Sequence, residues 1–394
     1  MFDLNFELPA IILLVIFLAT YVGERRLPVE HSRVYAVAIG INLVTTFFNL
    51  FSAYVDADLS AYPVALALFL NVGFYFFDIL RYFAFLWYFI TNSAMRLNIS
   101  ARITNLIGLL VAEALTGFGM ASGNFFVING NVFRLTGWYI LIDVIIFIIC
   151  FFEALILIGP IRENADRRVI LYFSGAIVVQ AAIGVCDIIF PYLIMSDILS
   201  SIVFLLFYLA VENPSLYRST DANTFNFDGM EMMFENGQFA THRIYGVGLT
   251  NYRVLRNIYL STSVRRAVRL AGEFMMEQPD TYPFYVGDGQ LVVLCGKKNP
   301  DIREAFSKRC QSSFSARSLE IYFDAGYVEV APDPGCIPTD IGLFQTDMKS
   351  VIFETKKNET VILDQSKVDA FHRRNLVYHI LNDKVATNDV RMFL

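Results

Sequence analysis

Apolar positions fall along this chain in two regimes. Up to about residue 211 they come in long, nearly unbroken runs, at roughly 6–23, 34–54, 62–90, 103–122, 137–159, 168–188 and 193–211. A helix needs about 20 apolar residues to cross ~30 Å of hydrocarbon, so each run predicts a membrane-spanning helix. The third is longer than one crossing requires, which predicts tilt or an end that projects beyond the bilayer. Seven such runs in succession argue against a large soluble core. The first is not a cleavable leader: its flank is acidic (Asp3, Glu7) and Glu24-Arg25-Arg26 follows it.

Past Pro214 the runs shorten and alternate with helical periodicity. The pattern predicts a strand over 239–249, with Gly246 and Gly248 late in it, then one helix over 252–276 that Pro279 and Pro283 end. Two apolar runs around Gly287-Asp288-Gly289 predict a hairpin. A helix (301–311), a strand or strand pair (318–330), a helix (340–353), a short strand (361–363) and a last amphipathic helix (366–385) complete the order. The expected fold class is a multi-domain membrane protein. An all-α seven-helix transmembrane bundle precedes an α+β domain whose sheet is mostly antiparallel, with helices on its faces. The corresponding division is 1–212 for the membrane sensor, 213–238 for linker and domain entry, 239–365 for the α+β domain, and 366–394 for the closing helix.

Composition agrees with this division. The chain has 394 residues, 56% apolar and 17% charged, with a mean hydropathy of +0.50. No lysine precedes Lys297, and residues 1–212 carry ten arginines against fifteen acids. Arginines concentrate in the loops after the first, third and fifth runs: Arg25, Arg26 and Arg33, then Arg96 and Arg102, then Arg162, Arg167 and Arg168. The opposite side holds Arg134 with Asp56, Asp58 and Asp197. The positive-inside rule then puts the N-terminus outside and residues 213–394 in the cytoplasm of a plasma membrane. The net charge of −6 gives no basic footprint for nucleic acid. Five cysteines without a CxxC spacing argue against disulfides and a zinc site. His31, His242, His372 and His379 have no metal or triad spacing.

Ionisable residues inside the apolar runs are candidates for a ligand or ion site, because each costs a few kcal/mol at mid-bilayer unless paired or wet. They are Asp78, Arg81, Glu113, Asp143, Glu153 and Asp187. Asp78 and Arg81, three apart, share a helix face and can pair. Asp143 and Glu113 have no basic neighbour in sequence, which makes them the leading ligand candidates.

The second half resembles a GGDEF domain, the diguanylate cyclase fold, across about 221–363. Asp221-Ala222-Asn223-Thr224 stands where that family opens its domain. Tyr285-Val286-Gly287-Asp288-Gly289-Gln290-Leu291-Val292-Val293-Leu294 stands at its signature hairpin. Asp347 with Lys356-Lys357-Asn358 stands at its late Asp and Lys-Lys segment. Seven spans feeding such a domain is a familiar layout among bacterial receptors. The resemblance implies two GTP joined with metal held by carboxylates. This chain departs from it at the chemistry. The signature becomes Gly287, Asp288, Gly289, Gln290 and Leu291, with Gly289 at the metal-binding acid. The first-strand metal position falls on Gly248, the guanine-reading position falls near Arg256, and the product-inhibition positions fall on Pro279 and Tyr282. Lys356 matches the phosphate-contacting lysine.

The expectation is therefore a degenerate, catalytically inactive domain with no metal and no resident cofactor. GTP remains open as an allosteric ligand held by Arg253, Arg256 and Lys356. Asp288 reads as a turn residue, and the arginines from Arg253 to Arg269 as a solvated basic face. Expected partners are the lipid bilayer, a second copy pairing through this domain, and a phosphodiesterase of the EAL class in cis or in trans. The last is suggested because Asn388–Leu394 looks like the start of the strand that opens an EAL domain. The expected function is a bacterial receptor relaying a membrane signal in cyclic-di-GMP signalling. Alternatives are a solute or ion transporter with a regulatory tail, and an active cyclase.

Overall fold

Long apolar runs close their backbone hydrogen bonds internally as helices, the arrangement that hydrocarbon demands. In the computed structural model they do so in the order α1 (Glu7–Gly23), α2 (Glu30–Ala57), α3 (Val64–Asn92), α4 (Ile99–Ala121), α5 (Gly137–Asn164), α6 (Arg167–Ile189) and α7 (Ser196–Phe207). The structure describes residues 6–92, 99–129, 132–164, 167–189, 196–316, 319–332, 336, 339–367, 369–370 and 373. The chain divides into two units, Met1–Pro214 and Ser215–Leu394.

Four helical stretches in the first unit are long and apolar enough to cross a membrane: Glu30–Ala57, Val64–Asn92, Ile99–Ala121 and Ser196–Tyr217. Helix α1 is shorter, as are the apolar portions of α5 and α6 among the described residues. Large apolar side chains face outward, among them Ile16 and Val22 on α1 and Leu110 and Phe118 on α4. Inside, Tyr35, Tyr88, Phe89, Phe204 and Phe207 are buried, with Phe89 edge-on to Phe207 at 4.9 Å between ring centres. Apolar surface without and aromatic contact within suits a helix bundle solvated by lipid. Between α4 and α5 runs a hairpin, β1 (Phe126–Asn129) with β2 (Val132–Leu135), which the apolar runs do not foretell. α7 ends in a π-helical turn over Tyr208–Glu212.

In the second unit α8 (Phe227–Glu235) is capped by Asn226, whose side chain accepts from the Gly229 amide at 3.0 Å. Then come β3 (Arg243–Leu249), α9 (Tyr252–Ile258), α10 (Ser261–Glu277), β4 (Thr281–Gly287), β5 (Gln290–Cys295) and α11 (Arg303–Cys310). A small hairpin follows, β6 (Phe314–Ala316) with β7 (Leu319–Ile321), then β8 (Ala325–Val330), α12 (Ile341–Glu354) and β9 (Thr360–Leu363). Three expectations need correcting. The first strand begins at Arg243, because Gln238–Ala240 forms a 3₁₀ turn. The helix expected over 252–276 is two helices that break at Tyr259 and Leu260. The stretch at 318–330 is split between a separate hairpin and one strand of the main sheet. The sheet itself is mixed: three of its four pairings are antiparallel, as the sequence leads one to expect, and one is parallel. Its order is β4-β5-β3-β8-β9, and the β8–β9 pair is parallel because α12 crosses over between them. The closing amphipathic helix and the strand start at Asn388–Leu394 lie largely or wholly outside the described residues.

Strand β3 is central and buried on both faces, and its two faces differ. Tyr245, Val247 and Leu249 join α10 through Val264, Ala267, Val268, Ala271 and Met275, with Phe306 and Phe314 completing that core. The alternate residues are Gly246 and Gly248, and α12 lies over them. A Cβ on Gly246 would come within 2.7 Å of Ile352 and 2.8 Å of Met348. Gly326, beside Gly248 in β8, meets Thr355 and the Lys356 carbonyl in the same way. Glycines in a strand interior permit such close approach, and here they seat a helix.

Burial holds the thiols of this core unreactive: it pushes both Cys295 and Cys310 up to about 12. At pH 8 both should therefore resist alkylation in the folded chain and react once urea unfolds it. Mass-spectrometric mapping checks this; rapid labelling of either in the native chain would contradict the packing.

Candidate functional site

Two networks of buried polar groups lie in the membrane unit, and the hairpin that closes at Gly287-Asp288-Gly289 lies in the second unit. In the membrane unit, helices α1, α2, α3 and α7 bury polar groups against one another. Arg81 on α3 is the centre of the first network. Its guanidinium donates to Asp78 on the same helix, to Asp197 on α7 at 2.7 Å, and to Asn42 on α2 at 3.2 Å. The side chains of Arg81 and Asp197 are only 3% and 1% exposed. Asn49 on α2 continues the network, donating to Asp197 at 2.7 Å and to Glu7 on α1 at 3.3 Å. A guanidinium between two carboxylates satisfies the demand that a buried charge be paired and hydrogen-bonded.

The second network closes around Glu212, the last residue of the π-helical turn. Its Oε1 accepts from the Tyr88 hydroxyl at 2.8 Å, and its Oε2 from Ser32 at 2.9 Å and Tyr21 at 3.1 Å. His31 Nε2 stands 3.7 Å away, and Arg26 donates to the Glu212 carbonyl at 2.7 Å. The Arg26 guanidinium also lies over the Tyr21 ring at 3.5 Å. One carboxylate thus ties the end of α7 to α1, to α2 and to α3. π-helical turns carry a mispaired backbone and recur at functional positions.

Of the residues expected from sequence, Asp78 and Arg81 belong to the first network. Glu113 sits half-buried on α4, where its Oε1 has no hydrogen-bond partner among the described residues. Asp143 and Glu153 lie on α5 and Asp187 on α6, and their side chains are outside the described residues. Sequence reasoning misses Glu7, Asn42, Asn49, Asp197 and Glu212. It takes Glu7 for a flank and Asp197 for a loop acid. A signal is present in the helical spacing of Asn42 and Asn49, polar residues seven apart inside one apolar run.

In the second unit the hairpin closes on Asp288 and Gly289, both with positive φ (50° and 75°), between Gly287 and its partner Gln290. Positive φ at both corners is the type I′ turn, for which Asp-Gly is a favoured pair. Gly289 faces Tyr252, whose Cβ would stand 2.8 Å from a Cβ there, and its amide donates to the Tyr285 hydroxyl at 3.2 Å. Gly248 pairs with Gln290 on one side and Gly326 on the other, and a Cβ on it would come within 2.5 Å of Ile352 Cγ2. Gln290 and Leu291 are buried in the sheet. Asp288 and Arg256 are both exposed and 4.0 Å apart, a surface pair of small energetic weight. Arg253 stacks over Phe353 at 4.4 Å, and Lys356 is exposed after α12. The hairpin corner, Gly248 and the start of α9 are thus brought together, with Ile352 packed over Gly248 and Tyr252 over Gly289. Among the described residues no group of three His, Cys, Asp or Glu side chains is arranged to hold a metal ion.

Neither a family model nor a curated protein matches the chain. Among solved structures it is similar to the diguanylate cyclase SiaD of Pseudomonas aeruginosa, determined in complex with its activator SiaC. The identity is 12%, over 43% of this chain and 69% of that one, with a TM-score of 0.31. So loose a likeness assigns no family and no activity.

The geometry can be probed at both ends. Glu212→Ala leaves the hydroxyls of Tyr88 and Ser32 without their acceptor and costs about 1–3 kcal/mol locally, so amide exchange over Tyr208–Glu212 should rise on the order of ten- to a hundredfold. Unchanged exchange would show that the hub does not hold the turn. Gly248→Ala overpacks Ile352 and should lower the stability of the second unit by about 1–3 kcal/mol in urea. Adding Ile352→Ala should cost less than the two changes summed, a coupling that two independent sites would not show.

Proposed function

We propose that the chain is a multi-pass receptor of a bacterial plasma membrane, with seven spans, its N-terminus outside and its second unit cytoplasmic. In this reading α1, α5 and α6 cross the bilayer with the four longer stretches. The second unit is a GGDEF-like domain that has lost cyclase chemistry and works as a relay in cyclic-di-GMP signalling. Supporting the resemblance are the order of its three sequence segments and a strand–helix–hairpin order that brings the signature segment to a tight corner beside the central strand.

The observation that carries the loss of activity is the filling of Gly248. At the position where the family keeps a first-strand metal ligand, this chain has a glycine covered by Ile352. Gly289, at the acid of the signature, is covered by Tyr252. A divalent ion needs several oxygen ligands, and phosphoryl transfer depends on the charge that the ion brings. Asp288 alone supplies neither the number nor the geometry. The relay reading draws on the membrane unit: Glu212 fastens the end of α7 just ahead of Pro214, so a signal that loosens this hub changes how the chain leaves the bundle. Such a device is a two-state element biased from the membrane side.

Purified full-length protein incubated with GTP and Mg²⁺ should give no cyclic dinucleotide, as read by chromatography; robust product would overturn the inactive assignment. The relay requires the second unit to bind GTP or to pair, with itself or with a phosphodiesterase domain. Calorimetric titration with GTP and sedimentation of the full chain in detergent test the first two, and absence of both would remove them.

A further inference from the structure

From Asn251 to Gly272 the chain carries five arginines and no acid, in a protein whose net charge is −6. Helices α9 and α10 turn this stretch into a surface. Helix α10 buries Val264, Ala267, Val268 and Ala271, which leaves Arg265, Arg266 and Arg269 exposed. Helix α9 buries none of its residues fully. Large apolar side chains are exposed along the same stretch of chain: Val254 is 57% exposed, Ile258 67% and Leu260 75%. Phe353, at the end of α12, is 59% exposed and lies under the Arg253 guanidinium. The acids at its edges are few, and one of them is the exposed Glu354 beside Phe353. Asp288 stands 4.0 Å from Arg256 and Asp221 3.3 Å from Arg265, while among the described residues Arg253, Arg266 and Arg269 have no ion pair. Arg269 instead donates to the Thr220 carbonyl.

Exposed aliphatic and aromatic side chains interleaved with arginines make a poor water-facing surface for a soluble domain. They are the composition by which helices lie in a bilayer interface, apolar groups entering the headgroup boundary and cations meeting anionic lipid. We propose that α9 and the start of α10, with Phe353, form a docking surface for anionic lipid headgroups, through which the second unit rests on the membrane that holds the first.

Charge complementarity selects this occupant. A second copy docking through the same patch would set arginines against arginines across a two-fold axis. The covalent order of the chain helps as well. The second unit begins at Ser215, within the apolar stretch Ser196–Tyr217, so it is tethered to the bilayer and even a weak lipid contact acts at high effective concentration. The inference rests on the chain being membrane-embedded. It is independent of whether the second unit is a relic of a cyclase, so either reading can fail without the other.

The test uses the full chain in nanodiscs, with Leu260→Trp as an exposed reporter and the unsubstituted chain as the correction for Trp87 and Trp138. In discs containing brominated lipid and about a third phosphatidylglycerol, fluorescence of the introduced indole should be quenched; in brominated phosphatidylcholine discs it should not. Reversing Arg253, Arg256 and Arg266 to Glu should abolish the quenching. Each cation lost near an anionic surface weakens the contact about fivefold, so three together weaken it by more than about a hundredfold. Quenching absent from the anionic discs, or equal in both lipids and after charge reversal, would overturn the proposal. So would shielding of the reporter that grows with disc concentration and ignores lipid, since that marks a second copy as the occupant.

Discussion

The seating of α12 on the glycine face of β3 is the contact on which the second unit depends. A central strand usually presents side chains on both faces. Here Gly246 and Gly248 lower one face to bare backbone, and Met348, Ile352 and Thr355 fill the space. That choice has structural and chemical consequences together. It draws the crossover between the parallel strands β8 and β9 tight against the sheet. It also fills with methyl groups the space that any side chain at residue 248 would need. A protein cannot keep both an Ile352 in this groove and a charged ligand at residue 248.

The membrane unit rests on a different constraint. Hydrocarbon supplies no hydrogen bonds, so polar groups on α1, α2, α3 and α7 find partners on others of those helices. Arg81 answers Asp78 and Asp197, and Glu212 answers Tyr21, Ser32 and Tyr88. These networks specify which helices are neighbours more than they add stability, because buried ion pairs roughly offset their own desolvation. Such a network is also sensitive: withdrawing one partner leaves an uncompensated buried group.

Much of this architecture is legible in the chain itself. Run length alone marks the helices, and the Asp-Gly corner marks the hairpin, since both depend on neighbours in sequence. The break at Tyr259 is weakly signalled, for the apolar spacing continues through it and only Ser261-Thr262-Ser263 hints at a new helix start. The hairpin between α4 and α5 has a signal, an Asn-Gly step between short apolar strands, but it is dwarfed by the long runs on either side. What cannot be read locally are contacts between distant positions. Asp197 meets a guanidinium 116 residues away, and nothing local to it distinguishes a buried acid from a loop acid. The glycines of β3 are visible, but that Ile352 fills the space above them depends on how the sheet is ordered.

Whether the hairpin and the central strand hold a metal can be asked of the metal itself. Mn²⁺ is titrated into the full-length protein with a non-hydrolysable GTP analogue present, and its paramagnetic resonance is recorded. With Gly248 and Gly289 covered, the signal should remain that of Mn²⁺ on the free nucleotide, and Asp288→Asn should change nothing. A stoichiometric protein-bound signal that Asp288→Asn removes would contradict the account of a corner filled by Ile352 and Tyr252.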